Sequence, residues 1–222
     1  MTARVLIVDD HALVAAGLQV ALSARGWTAE TAAGLTSAEI IDHVRRFQPR
    51  CVLLDIRLCP GRDGLELIAP LRTTDTTVIM LTAETEPAVL AACLDAGAAG
   101  WIGKHSALDD VETALTHTLA GVPLVGRTIR ETMLDDLRSQ RANRRHTLSP
   151  FERLTVRERD VLAALADGQS ADDIAATRYV ALTTVRSQIR SVLTKLGVRS
   201  QLAAVAHTHR AGWTLNTDHH AA

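Results

Sequence analysis

Four short apolar segments, residues 5–8, 51–54, 78–81 and 101–103, each end at a side chain able to do chemistry. Asp9 and Asp10 follow the first, Asp55 the second, Thr82 the third and Lys104 the fourth. Each run is continuously apolar and rich in β-branched residues, as a strand covered on both faces must be. Helix-length stretches separate the runs, so the pattern is a repeated βαβ unit feeding a parallel sheet. In such a sheet the residues just beyond the strand ends meet in one crevice. Three carboxylates, a hydroxyl and an ammonium are therefore expected to converge.

Charge dictates what that cluster can do. Crowded carboxylates remain anionic only beside a cation, which implies a hard divalent ion, most simply Mg²⁺. Mg²⁺ binds through one or two carboxylates plus phosphate oxygens. Lys104 adds a point charge for a phosphate oxygen, and Thr82 adds a neutral donor. With one carboxylate left as nucleophile, the set is built for phosphoryl transfer to an acid side chain.

These residues sit in longer motifs: Val8-Asp9-Asp10-His11, Leu54-Asp55-Ile56, Asp63-Gly64, Leu81-Thr82-Ala83, and residues 96–104 from Ala96 through Trp101 to Lys104. Residues 1–122 thereby resemble the receiver domain of a bacterial two-component response regulator. The resemblance implies that Asp55 accepts a phosphoryl group from a histidine kinase. It implies that Asp10 binds Mg²⁺ directly, with Asp9 acting through water and the backbone carbonyl of Arg57 as a further ligand. Thr82 and Trp101 would be the switch residues, and Lys104 would pair with the phosphate. The receiver is then expected to catalyse only its own phosphoryl transfer and dephosphorylation. Residues 56–64 form a loop one residue longer than the family's usual form. Trp101 replaces the customary Tyr or Phe, and His105 a Pro or small residue.

The second half carries helix signals instead. Thr155 with Glu158, and Ser170 with Asp173, are capping boxes that open two helices. Thr183 is expected to open a third, ending at Gly197, and Ser200 a fourth. Four short capped helices make a helix-turn-helix module. On the third, Val185, Ile189, Val192, Leu193 and Leu196 fall within a sector of roughly 100°. The opposite side carries Arg186, Ser187, Arg190, Ser191 and Thr194, with Gln188 and Lys195 at its margin and no acid among them, and with Thr184 these are the candidate DNA contacts. Such a face can neutralise phosphates and reach base edges.

Residues 150–212 resemble the DNA-binding domain of the LuxR and NarL/FixJ regulators. The match rests on residues 154–159, on Ile174-Ala175 and Thr184-Val185-Arg186, and on residues 193–198. Arg186 stands where that family commonly has Lys, Gln188 where it has His, and Gln201 where it has Arg. Asp172 and Asp173 replace a less acidic pair. By this resemblance the active form is a homodimer on double-stranded DNA, using residues 200–211 as well.

The expected architecture is an α/β doubly wound, five-stranded parallel receiver followed by an all-α four-helix helix-turn-helix domain. A linker over 123–149 joins them, partly helical through Ile129, Met133 and Leu137, and a tail occupies 213–222, unstructured from Thr217. The net charge of −1 conceals an asymmetry. Residues 1–125 hold nine Lys and Arg against fifteen Asp and Glu, a net of −6, and residues 126–222 hold fifteen against ten, a net of +5. An acidic metal-and-phosphate half is thus joined to a basic half suited to nucleic acid. Cys51, Cys59 and Cys93 are too few and scattered for a disulfide framework or a zinc site. No run reaches membrane-spanning length, and no signal-peptide layout opens the chain, so a cytoplasmic protein without membrane contact is expected.

Other readings stay open at this point. A regulator could bind DNA without phosphorylation, its receiver serving as a dimerisation module. A free-standing phosphotransferase or phosphatase would need further polar loop residues for a small substrate. A phosphate sink would have little use for the basic helix.

Overall fold

The computed structural model describes residues 3–59, 62–72 and 76–214. The chain forms two compact units, Met1–Arg138 and Ser139–Ala222.

The first unit alternates strand and helix. In order these are β1 (Arg4–Val8), α1 (Ala12–Ala24), β2 (Thr28–Thr31), α2 (Ser37–Phe47) and β3 (Cys51–Leu54). A short pair follows, β4 (Arg57–Cys59) and β5 (Arg62–Asp63), then α3 (Leu65–Arg72) and β6 (Thr77–Thr82). α4 (Pro87–Ala96), β7 (Gly100–Gly103) and α5 (Leu108–Leu119) complete the alternation. The main sheet runs β2-β1-β3-β6-β7 with every pairing parallel. Its apolar runs alternate strictly between two cores. Leu6, Val8, Val52, Leu54, Val78 and Met80 pack with Ile40, Val44, Ile68 and Cys93 of α2, α3 and α4. Val5, Ile7, Cys51, Leu53, Ile79 and Leu81 pack with Ala15, Leu22, Val111 and Leu115 of α1 and α5. Helices on both faces explain why these strands read as unbroken apolar runs.

The fifth strand of the sheet is β2, which none of the four apolar runs announced. It lies at an edge, with only Ala29 buried, so it needs no continuous apolar sequence. The longer loop after Asp55 also takes a definite form. Arg57 pairs with Asp63 and Cys59 with Arg62 in a small antiparallel ribbon, while Pro60 and Gly61 lie outside the described residues.

α6 (Arg127–Glu152) is longer than the partial helix expected of a linker, and includes Pro150. Near its start Arg130 donates to the carbonyls of Leu94 and Ala98 at the end of α4, at 3.3 and 3.2 Å. At its other end Leu148 and Phe151 join the core of the second unit.

That unit continues with α7 (Val156–Ala166), α8 (Ala171–Thr177), α9 (Leu182–Leu196) and α10 (Gln201–Ala211). Both capping boxes form as the sequence predicts, and Ser200 caps α10. α9 differs from expectation at its start. Its N-cap is Ala181, without a side-chain cap bond, rather than Thr183. Leu182 packs on the Val161–Ile174–Val185 core and draws the helix start forward. Trp213, assigned to the tail from sequence, stacks on Phe151 at 5.4 Å. The rest of the tail, from residue 215, lies outside the described residues, including Thr217, His219 and His220.

Candidate phosphoacceptor and nucleic-acid sites

Strand order decides where the chemistry sits. β1 leads into α1 on one face of the sheet and its neighbour β3 leads on to α3 on the other, so a crevice opens between their ends. Asp9 and Asp10 stand there, with Asp55 at the neighbouring end of β3. Asp9, Asp55 and Thr82 are buried, at 1 %, 4 % and 3 % exposure. Asp55 and Thr82 face an open cleft of about 580 Å³ that Arg57, Glu84 and Lys104 also line, while Asp9 and Asp10 border a separate pocket of about 350 Å³ beside Val8 and Leu58.

Lys104 holds the cluster together. Its Nζ donates to Asp55 Oδ2 at 2.7 Å. It also lies 2.7 Å from Asp9 Oδ2, as an ion pair without the directed geometry of a hydrogen bond. Burial pushes the Asp55 carboxyl above its usual range, and the Lys104 pairing offsets only part of this. For Lys104 burial acts downward, but its pairing with Asp55 and Asp9 wins and raises it.

Thr82 Oγ1 accepts from the Glu84 amide at 2.9 Å, which leaves its own proton free to donate. Trp101 pairs in register with Met80 on the adjacent strand, and its half-buried ring packs on the same core cluster as Met80. Thr82, two residues beyond Met80, therefore shares that face of the sheet. Over the cleft, Arg57 Nη2 donates to Glu84 Oε2 at 3.1 Å. The amides of Glu86 and Thr85 hold the Glu84 carboxyl below its usual range.

Two contributors had no role assigned from sequence. His11 Nδ1 lies 2.6 Å from Asp10 Oδ1 and 3.2 Å from Asp9 Oδ1, so the imidazole bridges the acidic pair. Gly64 packs directly on the acceptor strand's end, where any Cβ would collide with the carbonyl oxygen of Asp55. His11 and Gly64 stood in the quoted motifs, but only the fold supplies their contacts.

The donor set fits a hard cation. Asp9, Asp10, His11 and Asp55 can each present one ligand atom, all within 4.8 Å of one another. Asp9 Oδ2 is buried without a hydrogen-bond partner among the described residues. A buried carboxylate oxygen whose one partner is the Lys104 ammonium, set among other carboxylates, is a place where a divalent ion would bind favourably.

In the second unit α9 buries Val185, Ile189, Val192 and Leu196. Thr184, Arg186, Ser187, Arg190 and Thr194 are exposed, and Gln188 is half-buried. Ser191 and Lys195 are engaged within the protein. Ser191 Oγ donates to Glu158 Oε1 and Lys195 Nζ to Glu158 Oε2, each at 2.6 Å. Glu158 therefore caps α7 and clamps α9 with one buried carboxylate. Burial alone would raise its carboxyl, but bonds from Lys195, Ser191 and Thr155 bring it down to about 2. The cap was legible in the sequence, whereas a partner 37 residues away was not.

Comparison with known proteins agrees with both halves. A model of the response regulator receiver domain matches residues 5–116, and one of bacterial regulatory proteins of the luxR family matches residues 152–208. The chain is 33% identical over 209 residues to the probable transcriptional regulatory protein NarL of Mycobacterium tuberculosis (strain ATCC 25618 / H37Rv), covering 93% of this chain and 94% of that protein. It is 28% identical over 209 residues to the transcriptional regulatory protein DesR of Bacillus subtilis (strain 168), covering 94% and 98%. Among solved structures, a two-component response regulator of the LuxR family from Aurantimonas sp. SI85-9A1 aligns with a TM-score of 0.52 at 27% identity. That alignment covers 63% of this chain and 99% of the other.

Proposed function

Because this chain belongs to the response regulators that join a receiver domain to a LuxR-type DNA-binding domain, we propose that phosphorylation of Asp55 by a histidine kinase controls its sequence-specific binding to DNA. The observation that carries the reading is Lys104 bridging Asp55 and Asp9 at the mouth of an open cleft. The receiver is assigned to residues 1–122, the linker to 123–149 and the DNA-binding domain to 150–212. Among the described residues no helix is long and apolar enough to cross a membrane, and the protein acts in the cytoplasm, where DNA and kinase domains meet.

In this mechanism an Asp55 carboxylate oxygen attacks the phosphorus of a phosphohistidine. The new O–P bond forms as the P–N bond breaks, and the electron pair goes to the imidazole nitrogen. Asp10, Asp9 and the Arg57 carbonyl would hold Mg²⁺ alongside Asp55. Bound there, Mg²⁺ supplies positive charge that offsets carboxylate and phosphoryl oxygens together. Lys104 then moves its proton-rich end from Asp55 Oδ2 to a phosphoryl oxygen. Thr82 turns its free proton to another, which favours an arrangement already accessible to the protein. That arrangement favours a homodimer, through residues 200–211, on paired DNA half-sites.

The Arg57–Glu84 pair spans the route by which water reaches the acyl phosphate. Opening it with Arg57→Ala or Glu84→Ala should speed autodephosphorylation more than it alters phosphorylation by the kinase. Decay of radiolabelled protein measures the effect, and unchanged decay in both variants would remove the gate.

DNA titrations test the reading as a whole. Affinity for a native site should rise with an acyl-phosphate mimic, and indifference to the mimic would overturn phosphorylation control. Arg186 lies near the helix start beside the apolar margin, so Arg186→Ala should weaken native and scrambled sites alike. Its salt slope should fall by about one. Arg190 is central on the exposed face, so Arg190→Ala should lose about 1–3 kcal/mol at one base position only. Wild-type affinity in both variants would mean that α9 does not enter DNA.

A further inference from the structure

Tyr179 is the single tyrosine of the chain, and 95% of it is exposed. It lies in the turn between α8 and α9 with φ +55°, one of two non-glycine residues of positive φ among the described residues. Like Gln48 at the end of α2, it follows the last turn of a helix, where such a backbone is common, and the Val180 amide donates to the Ala175 carbonyl at 3.1 Å. A bulky side chain in the left-handed region costs energy that glycine or asparagine would avoid. The backbone bonds of the turn would form equally with glycine there, and the exposed Tyr179 ring gains little from packing to offset its own cost. Its neighbours do have internal tasks. Arg178 pairs with Asp160 at 3.5 Å, and Leu182 packs on the core.

We propose that Tyr179 is a DNA-contacting residue that meets the sugar-phosphate backbone bordering the groove entered by α9. This rests on the reading of α9 as the groove-entering helix. Recognition helices present their N-terminal residues to the bases. Tyr179 precedes the first residue of α9, Leu182, by three positions, which limits their separation to about 10 Å. The major groove is about 12 Å wide, so a phenol projecting from that turn reaches a bordering strand. The ring can lie against a deoxyribose, and its hydroxyl can donate to a phosphate oxygen. The surrounding turn adds no acid to repel DNA, since residues 174–187 hold none.

The proposal gives stability and binding opposite signs. Tyr179→Gly and Tyr179→Asn relieve the backbone, so the full-length protein should melt at an unchanged or higher temperature. The same variants should bind a random-sequence DNA duplex about tenfold more weakly, the loss expected of one charge-assisted contact. Tyr179→Phe matching Tyr179→Gly would place the contact in the hydroxyl, and matching wild type would place it in the ring; either supports the proposal. Arg186→Ala serves as the reference. If it loses affinity while Tyr179→Gly and Tyr179→Asn bind as wild type, this contact is overturned alone. If none of the variants loses affinity, the contact and the α9 reading are overturned together.

Discussion

Asp55→Asn is expected to abolish acyl-phosphate formation, whether the donor is acetyl phosphate or a cognate kinase. The variant keeps the shape of the side chain but removes the anionic nucleophile at the end of β3. No neighbour can replace it. Asp9 is buried and turned toward Lys104 and the His11 amide, and Asp10 lies against His11. Lys104 would keep its ion pair with Asp9, so the fold should survive, as an unchanged melting temperature would verify. Wild-type label should be cleaved by mild base, as an acyl phosphate is. Undiminished labelling of the Asn variant would put the acceptor elsewhere and remove the basis of the mechanism.

Glu158→Ala should cause the largest loss of stability, and it should fall on the second unit. The carboxylate is 8% exposed and receives bonds from Lys195, Ser191 and the Thr155 amide. Lowering it from 4.5 to about 2 corresponds to about 3 kcal/mol, reduced somewhat because Lys195 is 31% exposed and partly screened by solvent. Removing one partner of a buried pair costs a similar amount, about 3–5 kcal/mol. A depressed acid stabilises the fold above its unfolded value and loses that contribution as pH falls. The second unit of the wild type should therefore weaken between about pH 4.5 and 2. Glu158→Ala should be weak already at neutral pH and lack this part of the acid transition. Hydrogen exchange of α7 and α9 amides across that range would measure both effects. Wild-type protection in the variant at pH 7 would show that the clamp contributes nothing.

The Glu158→Ala result would also bear on two kinds of residue that look alike in sequence. Ser191 and Lys195 share the polar side of α9 with Arg186 and Arg190, and periodicity alone groups all four. The structure divides them, because Glu158 reaches across from α7 and takes the first pair. Loss of Glu158 would release both from α7 and loosen the helix that presents Arg186 and Arg190. Its effect on DNA binding should therefore extend beyond the side chains it touches.

Periodicity and strand-end chemistry were enough for the four apolar strands β1, β3, β6 and β7, the acidic cluster, three of the four caps in the second unit and the apolar stripe of α9. These are local properties. A strand buried on both faces must be apolar throughout, and a capping box is written within four residues. β2 escaped because only Ala29 of it is buried, so this edge strand carries no apolar run. The start of α9 was misplaced because Leu182, drawn into the core, outweighed the local preference for Thr183. The bridge from Lys104 to Asp9 and Asp55, the seat of Gly64 on the Asp55 carbonyl and the Glu158 clamp all join residues far apart in the chain. Only packing of the sheet and the helices could set those distances, since sequence specifies which groups are available but not which of them will meet.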